Sequence, residues 1–586
     1  MMTMTLAGLC AWMMLPALSP TGGGEGKDVS RMEKSEKSIL VSKDKRLEVL
    51  STAALTGGIL QNRFPYIGPV LRDRFDEQGG GYDGPSPIFA VGEWVRRMSG
   101  EQLAEILRST PGTDWEEDGV SIEFIGNRLV IVNDQVAIDK IRSTYERILA
   151  ATAPRFEIRA VVYETEGQGG GGLRRKLDGK TTDALFAAIE QGKAGKVLYK
   201  GRAEVRAGDS VRMGQATRQD FVGNVNVEIA QKAKAGDPII IPLDLDRSLT
   251  LRPLLAPDGI HVALIGMFQS RQVDGDVQSE RVVAEGTQNI DQVRVDLRQR
   301  VFSMIVDDQA GYLMAPGGAM QPGLEILIQL RRLDARPQSV ADLALIPTSL
   351  VASEALTPGK GFPFQDSLGT KSINAKILTD YLEMLIPFDD GKSEMQSLPE
   401  FLWVKGQAVP DVRRIVRKLT ADMSRSFAVE IRREIRPVKG ESRAWAAYGQ
   451  PIFTYSLAGR LGYAMTGYEQ TYVGDYNVEV AEEATIGKLQ PAACFVGIQA
   501  WTAVIPSGQQ AIVHLDLTDA ALAEWRRVPA PTDVVGDITI PKVEEAHLMR
   551  KLDLRIGQSR SLGEGARRII DGVPHRTRIT VKLIER

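Results

Sequence analysis

Two stretches of the chain, Gln219–Ala230 (QDFVGNVNVEIA) and Gln470–Ala481 (QTYVGDYNVEVA), are close copies of each other. Seven of their twelve positions are identical, and three more exchange Phe for Tyr, Asn for Asp or Ile for Val. A segment that returns in this way indicates an internally repeated module.

A second pair of segments repeats in the same order. Pro257–Ala263 (PDGIHVA) corresponds to Pro506–Ile512 (PSGQQAI), 249 residues later, whereas the first pair is 251 residues apart. Both segments contain a Gly after a polar residue, which is typical of a turn. Two matches in nearly one register indicate a duplication of the whole β-rich module.

A small α/β unit precedes each copy of this module. In the first, Arg128–Asn133 (RLVIVN) predicts a short strand, and apolar residues at 138, 141, 145 and 148 predict the helix after it. In the second, Leu402–Val404 is followed by Val409, Val412, Ile415 and Leu419. The first copy carries about twenty additional residues, which we assign to Gly167–Gly195.

The predicted fold class is therefore α+β and β-rich, with two repeats of a small α/β domain followed by an antiparallel β domain. The predicted domains are a signal peptide (1–22), a flexible segment (23–45), the first α/β domain (46–152), the first β domain (153–335), the second α/β domain (336–423) and the second β domain (424–586).

The repeated segment resembles the core of the secretins of type II and III secretion systems, in the form common in planctomycete-type bacteria. In that form the Val-Glu-Val-Ala strand leads to a Pro, a Leu-x-x-Arg-Pro strand and an Asp-Gly turn. The first copy follows it through Asp237-Pro238, Leu249–Pro253 and Asp258-Gly259. The α/β units resemble the ring-building domains that precede the secretin core. In two respects the chain departs from the family: it alternates the two domain types twice, and Leu562-Gly563-Glu564 stands where a glycine pair is common.

This resemblance implies a secretin-like envelope protein that forms or supports an oligomeric outer-membrane channel for protein secretion. The alternative is a periplasmic structural or assembly protein that keeps the fold without a pore. Either way the expected partners are further copies of the chain or other envelope proteins, in a Gram-negative-type bacterium. The residues expected to matter are structural, the members of the two repeated motifs: Phe221, Val222, Gly223, Asn226, Glu228, Tyr472, Val473, Gly474, Asn477 and Glu479.

The start of the chain predicts export. Leu6–Leu18 is an uncharged, mostly apolar run of thirteen residues, which suits the apolar core of a signal peptide and is shorter than the ~20 residues of a membrane-spanning helix. Of the two cysteines, Cys10 lies in this segment, which leaves Cys494 without an internal disulfide partner.

Composition and motifs predict neither an enzyme nor a cofactor-binding protein. The net charge of -3 gives no basic face for nucleic acid. Gly167-x-Gly169-x-x-Gly172 matches a dinucleotide fingerprint only because the string is mostly glycine, and we expect a flexible loop there. The four histidines have no metal-ligand spacing, and Gly440–Ala444 lacks the closing glycine of a nucleophile elbow. We expect no catalytic residue, no cofactor, no metal and no small-molecule substrate.

Aromatic residues crowd into the second β domain. Eight lie between Trp445 and Tyr476, and several alternate with other residues, as in Phe453, Tyr455 and Leu457, then Leu461, Tyr463 and Met465. Two interpretations are open: a membrane-facing hairpin at the lip of a pore, or the packed inner face of an antiparallel sheet, which we favour.

Overall fold

A computed structural model describes residues 39–40, 44–56, 58–60, 71, 94–96, 98–110, 113–125, 128–165, 175–230, 233–275, 278–284, 286–314, 323–334, 343–348, 350, 375–386, 388, 393–398, 401–421, 424–439, 444–481, 484–529 and 537–585. This part of the chain is β-rich, as the sequence predicts. None of its helices combines the length and apolarity needed to cross a membrane. The predicted signal peptide, the Gly167–Gly172 string and Gly440–Arg443 lie outside the described residues.

The first α/β unit is an antiparallel sheet in the order β1-β2-β6-β5 with helices packed on it. The strand predicted at Arg128–Asn133 is β6, and the predicted helix is α3, whose Ile138, Ile141, Tyr145 and Ile148 are all buried. Helix α3 begins after Asp134, whose carboxylate accepts a hydrogen bond from the backbone N–H of Ala137 at 2.8 Å. The elements are β1 (Ile39–Leu40), β2 (Arg46–Ser51), α1 (Ala53–Thr56), β3 (Gly58–Leu60), β4 (Trp94–Arg96), α2 (Gly100–Arg108), β5 (Ser121–Ile125), β6 (Arg128–Asn133) and α3 (Gln135–Thr152).

The second α/β unit is smaller, with three strands and two helices around their own core. Its central strand contains the predicted Leu402–Val404 segment, and the following helix buries Val409 and Val412. The elements are β18 (Leu343–Pro347), α5 (Ala375–Leu385), β19 (Ser393–Ser397), β20 (Phe401–Gly406) and α6 (Val409–Ala421), with the strand order β18-β20-β19.

Each β unit contains a set of strands in the same spatial order. In the first unit four strands follow the order β16-β17-β7-β9, with β8 beyond β16, and in the second unit the order is β28-β30-β21-β23. The strands of the first set are β7 (Arg155–Thr165), β8 (Arg175–Leu177), β9 (Lys196–Arg206), β16 (Gly311–Met314) and β17 (Gly323–Arg332), with helix α4 (Gly179–Glu190) between β8 and β9. Those of the second are β21 (Ser426–Pro437), β22 (Ala446–Ala447), β23 (Ile452–Leu457), β28 (Ser559–Glu564), β29 (Arg568–Ile570) and β30 (Val573–Glu585).

The segment Gly167–Gly195, to which we assigned the additional residues of the first copy, holds strand β8 and helix α4 in its described part. In the second unit the connection from β21 to β23 holds only the two-residue strand β22 among its described residues. The predicted domain boundaries near residues 152, 335 and 423 fall between elements: α3 ends at Thr152, β17 at Arg332 and α6 at Ala421.

The remaining long strands form one antiparallel run of eight, in the order β10-β11-β12-β15-β24-β25-β26-β27. We call this the eight-strand run. The first four strands come from the first β unit and the last four from the second. They are β10 (Val211–Ala230), β11 (Ala233–Leu255), β12 (Val262–Val273), β15 (Arg294–Val306), β24 (Leu461–Ala481), β25 (Ala484–Ser507), β26 (Gln510–Val528) and β27 (Ile538–Arg555). A separate hairpin, β13 (Gln278–Ala284) with β14 (Gly286–Gln292), lies between β12 and β15 in the sequence.

Three of the eight aromatic residues of the second β unit belong to the core. Phe453, Tyr455 and Tyr463 are buried, and the Tyr463 ring lies 4.1 Å from the Trp501 ring, centroid to centroid. Leu457, Leu461 and Met465 are buried as well. The packed-sheet interpretation is therefore confirmed for these residues, and the membrane-facing interpretation is wrong, because their side chains are already covered by the protein itself.

Candidate functional site

The two repeated motifs lie on equivalent arms of two long hairpins. Gln219–Ala230 forms the distal part of β10, which pairs with β11, and Gln470–Ala481 forms the distal part of β24, which pairs with β25. The turn after each hairpin is also alike, because Gly259 and Gly508 both adopt a positive φ, +67° and +62°. The segments that match in sequence therefore hold matching places in the sheet.

The glycine of each motif interrupts the pairing of its hairpin. Val222 pairs with Ile240 and Asn224 with Ile239, so Gly223 has no partner across the ladder. In the other hairpin Val473 pairs with Pro491 and Asp475 with Gln490, which leaves Gly474 in the same situation. A β-bulge of this kind bends the strand and increases its twist.

The other motif residues divide into two groups. Phe221 and Val473 are buried, and Phe221 joins the apolar cluster on one face of the eight-strand run. Val222 and Tyr472 are half-buried, and the Tyr472 ring meets the Trp525 ring edge-on at 6.4 Å between centroids. Asn226, Glu228, Asn477 and Glu479 pair through their backbones with Asp237, Ala235, Lys488 and Ile486, while their side chains lie outside the described part of the structure.

The two β units are joined by pairing between β15, the last strand that the first unit adds to the eight-strand run, and β24, the first strand that the second unit adds to it. The register runs from Arg294 opposite Gln470 to Val301 opposite Tyr463. The hydroxyl of Thr471 extends this junction by accepting a hydrogen bond from the backbone N–H of Val293 at 2.7 Å. Sequence reasoning missed this junction, because nothing in either strand marks the other as its partner.

The outer strands of the eight-strand run are β10 and β27. Within the described residues β10 pairs only with β11, and β27 only with β26. Most side chains of β10 between Arg212 and Asp220 are exposed, as are Glu545 and Met549 on β27. Because neighbouring strands alternate in direction along the run, β27 runs opposite to β10, as β15 runs opposite to β24.

The two α/β units pack against each other. On the second unit, Leu343, Leu345 and Trp403 share one face of the sheet and pack against the core of the first unit. The Nζ of Lys405 donates to the carbonyl of Ser109 at 3.4 Å across the same contact.

Among the described residues, no other unit packs on the matching sheet face of the first unit. It is formed by the half-buried Leu47, Val49, Val130 and Val132 together with Ile125, which is 59% exposed. On the second unit, helix α5 exposes Tyr381, Met384 and Leu385. In the part of the chain that the structure describes, each α/β unit therefore has an apolar surface outside the contact between the two units.

A buried aspartate and two of the four histidines occupy structural positions. Asp246 is buried and forms an ion pair with Arg212, and it accepts hydrogen bonds from Ser248 at 3.0 Å and Gln269 at 2.9 Å. His261 contacts Asp258, whereas His514 is buried. Among the described residues no three His, Cys, Asp or Glu side chains are grouped as metal ligands. The described residues instead present strand edges that can pair with further β-strands, and apolar faces that can pack against another surface.

Two solved structures overlap with this chain at low similarity. The match with the secretin-domain β-barrel of InvG from the Salmonella SPI-1 injectisome base spans 36% of this chain and 79% of the InvG chain, with 13% sequence identity and a TM-score of 0.18. The match with Aeromonas hydrophila ExeD spans 83% of this chain and 87% of the ExeD chain, with 8% sequence identity and a TM-score of 0.17. Overlaps as loose as these do not establish a shared fold. No family model and no curated protein matches the chain.

Proposed function

We propose that this chain is a secretin-like, non-enzymatic envelope protein with two copies of one module, and that it assembles with further copies of itself into a channel for protein secretion at the outer membrane. The observation that carries the proposal is the β15–β24 junction. It joins a strand of one module to a strand of the other, while β10 and β27, at the two ends of the same run, each pair with a single strand among the described residues.

The junction within the chain supplies a register for pairing between chains. Val262, three residues after Gly259, pairs with Val306. Ala511, three residues after Gly508, pairs with Leu554. Aligning these turns makes β27 the counterpart of β15, with Leu554 in the place of Val306.

The repeated motif makes β10 the counterpart of β24, with Gln219 in the place of Gln470. Arg298 lies opposite Thr466 in the junction. The same register between chains therefore places Ala546 of one copy opposite Gln215 of a second copy.

Charge along the two edges favours this pairing. In the derived register Glu545 lies diagonally across from Arg218 of a second copy, and both side chains are exposed in the single chain. Opposite charges at such cross-strand positions contribute about 0.2–1 kcal/mol each. One such pair contributes little alone, but it recurs at every interface of a closed ring.

The α/β units support the same head-to-tail arrangement. Leu343 and Leu345 of the second unit pack against the core of the first unit of the same chain. The matching Leu47 and Val49 are half-buried like them but belong to no apolar core among the described residues. If each second unit covered the sheet of the next chain's first unit, the exposed Met384 and Leu385 of α5 would be the contacting surface. Exposed apolar patches of this kind commonly mark protein interaction sites.

The size of the mature protein, extracted from envelope fractions in mild detergent, tests the proposal. We expect a mass many times the 64.2 kDa of the chain and ring-shaped particles with a central channel in negative stain. A monomer in detergent and in aqueous buffer would contradict the assembly and would favour a periplasmic protein that keeps the fold without a pore, because its two modules already pair with each other.

Exchanging the charges of Glu545 and Arg218 tests whether ring formation depends on pairing of β27 with β10. Glu545→Arg places two cations diagonally opposite and should reduce the ring fraction, and adding Arg218→Glu should restore it. Glu204→Arg, an exposed position on β9 in the separate five-stranded sheet, is the matched control. Rings that form equally well in the Glu545→Arg variant would show that β27 and β10 do not meet.

A further inference from the structure

An arginine-lined cavity lies where the two β units meet, and we call it the arginine cavity. Its volume is about 620 Å³, and four arginines line it: Arg294 and Arg298 from the first unit, and Arg433 and Arg568 from the second. Ligand sites in proteins commonly have volumes of about 300–1,000 Å³. The secretin resemblance gives this cavity no role, and sequence reasoning predicted no small-molecule site.

The inner wall of the cavity holds two buried cations that share one carboxylate. Asp519 is fully buried, and its Oδ1 and Oδ2 accept from Nη2 and Nη1 of Arg568 at 2.6 and 3.1 Å. The Nη1 of Arg433, also buried, lies 3.7 Å from the same Oδ1. Arg568 hydrogen-bonds to both carboxylate oxygens of Asp519, so the longer ion pair of Arg433 with the same carboxylate is the weaker of the two.

Neighbouring groups compensate this charge only in part. The ring of Tyr448 lies 5.4 Å from the guanidinium carbon of Arg433 and 5.2 Å from that of Arg568, which is within cation–π range. Burial, and then the nearby Arg568, lower the pKa of Arg433. The wall is therefore an environment in which a further negative group would be stabilised.

The opposite wall is also cationic but better balanced. Arg294 lies over the ring of Tyr468 at 3.8 Å and forms a 3.1 Å ion pair with Asp274. Arg298 is desolvated, and this burial lowers its pKa. Asp296 supplies a second carboxylate on this side.

Two facing glycines keep one side of the cavity free of side chains. Gly467 pairs with Gly497 across β24 and β25. A Cβ on Gly467 would lie 2.3 Å from the carbonyl oxygen of Val496, and one on Gly497 would lie 2.4 Å from that of Thr466. Any side chain here would push the two strands apart, so the space beside them stays open.

We propose that the arginine cavity binds a small organic anion through a carboxylate or phosphate group that lies against Arg433 and Arg568. A guanidinium group matches both oxyanions, because its parallel N–H donors can engage two oxygens at once. Arg433, which lies 3.7 Å from Asp519, supplies these donors, whereas Arg568 already donates through Nη1 and Nη2 to Asp519 and contributes its charge. The ligand would complete the charge balance at Asp519. Because residues of both β units line the cavity, the bound ligand would also hold the two units together.

The test uses the full chain with inorganic phosphate as the phosphate probe and citrate as the carboxylate probe, each against sodium chloride of equal ionic strength. We expect saturable heat in titration calorimetry and a saturating rise of Tm with at least one probe. The probe with the larger response identifies the class of oxyanion. Equal rises of Tm in all three salts, with no saturable heat, would overturn the proposal.

Variants separate this cavity from the rest of the arginine-rich surface. Leu522→Glu replaces a lining side chain with one of similar size that carries its own carboxylate. It should raise the Tm without added anion and weaken phosphate or citrate binding about tenfold or more. Arg436→Gln is the control, because Arg436 is on the same strand as Arg433 but stacks on Trp445 at 4.8 Å, away from the lining. Binding that survives Leu522→Glu, or is lost equally in Arg436→Gln, would place the anion elsewhere.

Discussion

Gly223 and Gly474 each stand unpaired between two paired neighbours, on the first arm of their hairpins. They are 251 residues apart and occupy the same position of the repeated motif. A β-bulge at the same motif position in both hairpins is a structural feature that bends each strand at this point. The most specific part of the repeated sequence therefore coincides with the point at which each hairpin changes its pairing.

Gly223→Ala should destabilise the protein. A Cβ at this position would lie 2.2 Å from Cδ1 of Ile241, so the buried isoleucine must move. Overpacking of this kind costs about 1–3 kcal/mol. Urea denaturation measures the change, with Gly179→Ala as the control, since a Cβ in that first turn of α4 meets only the carbonyl oxygen of Gln309 at 3.4 Å. A Gly223→Ala variant as stable as the parent would mean that Ile241 adapts without cost.

The derived register predicts one disulfide between chains. With both natural cysteines replaced by serine, Ala546→Cys and Gln215→Cys should crosslink neighbouring copies under mild oxidation, because directly opposed strand residues have Cβ atoms about 4.5–5.5 Å apart. Non-reducing electrophoresis would show a ladder of multiples of the chain. Pairing Ala546→Cys with Arg218→Cys, three residues away and on the other face of the strand, is the off-register control. A ladder from the control pair alone would place the edges in another register.

Local patterns were sufficient to predict the elements whose partners are near in sequence. The strand Arg128–Asn133 and the helix after it follow from side-chain periodicity, since an apolar stripe at helical spacing needs no distant information. The repeated motifs likewise marked two strands. The prediction of a β-rich fold depended on such segments.

The junction and the cavity depend on residues that are distant in sequence. Pairing of Arg298 with Thr466 joins strands from two modules, and neither strand carries a local sign of the other. The arginine cavity combines residues from 274 to 569, so no spacing rule could group them. In a sheet of this topology the contacts that build a site are set by strand order, which periodicity does not specify.

Cys494 should react slowly at ordinary pH although it is only half-buried. Burial, and then the carboxylate of Glu469, raise the pKa of its thiol from 9.0 to about 11. At pH 8 the thiolate fraction should be about 100-fold below that of an unperturbed cysteine, since the thiolate is the reactive form. Labelling with a thiol reagent across pH 7–10.5 measures this, with the urea-unfolded chain as the reference. Equal rates for the folded and unfolded chains at pH 8 would contradict it.

The same shift has a consequence for stability. Because the thiol of Cys494 holds its proton more tightly in the folded state, it contributes stability below about pH 9 that is lost as the pH rises towards 11. Cys494→Ser removes this group. The variant should therefore lose less stability than the parent between these two pH values, by comparison of urea midpoints.

Asp519→Asn should make the stability of the protein depend on added anions. The substitution keeps the shape of the side chain and an acceptor for the backbone N–H of Ala566, which donates to Asp519 at 3.0 Å, but it leaves Arg433 and Arg568 without a carboxylate. Removing one partner of a buried ion pair costs about 3–5 kcal/mol, because the remaining charge stays desolvated. An oxyanion in the arginine cavity would restore part of that loss. Melting curves in phosphate and in sodium chloride of equal ionic strength measure the effect, and phosphate should raise the Tm of Asp519→Asn more than that of the parent. An equal gain in both proteins would show that phosphate does not reach the two guanidinium groups.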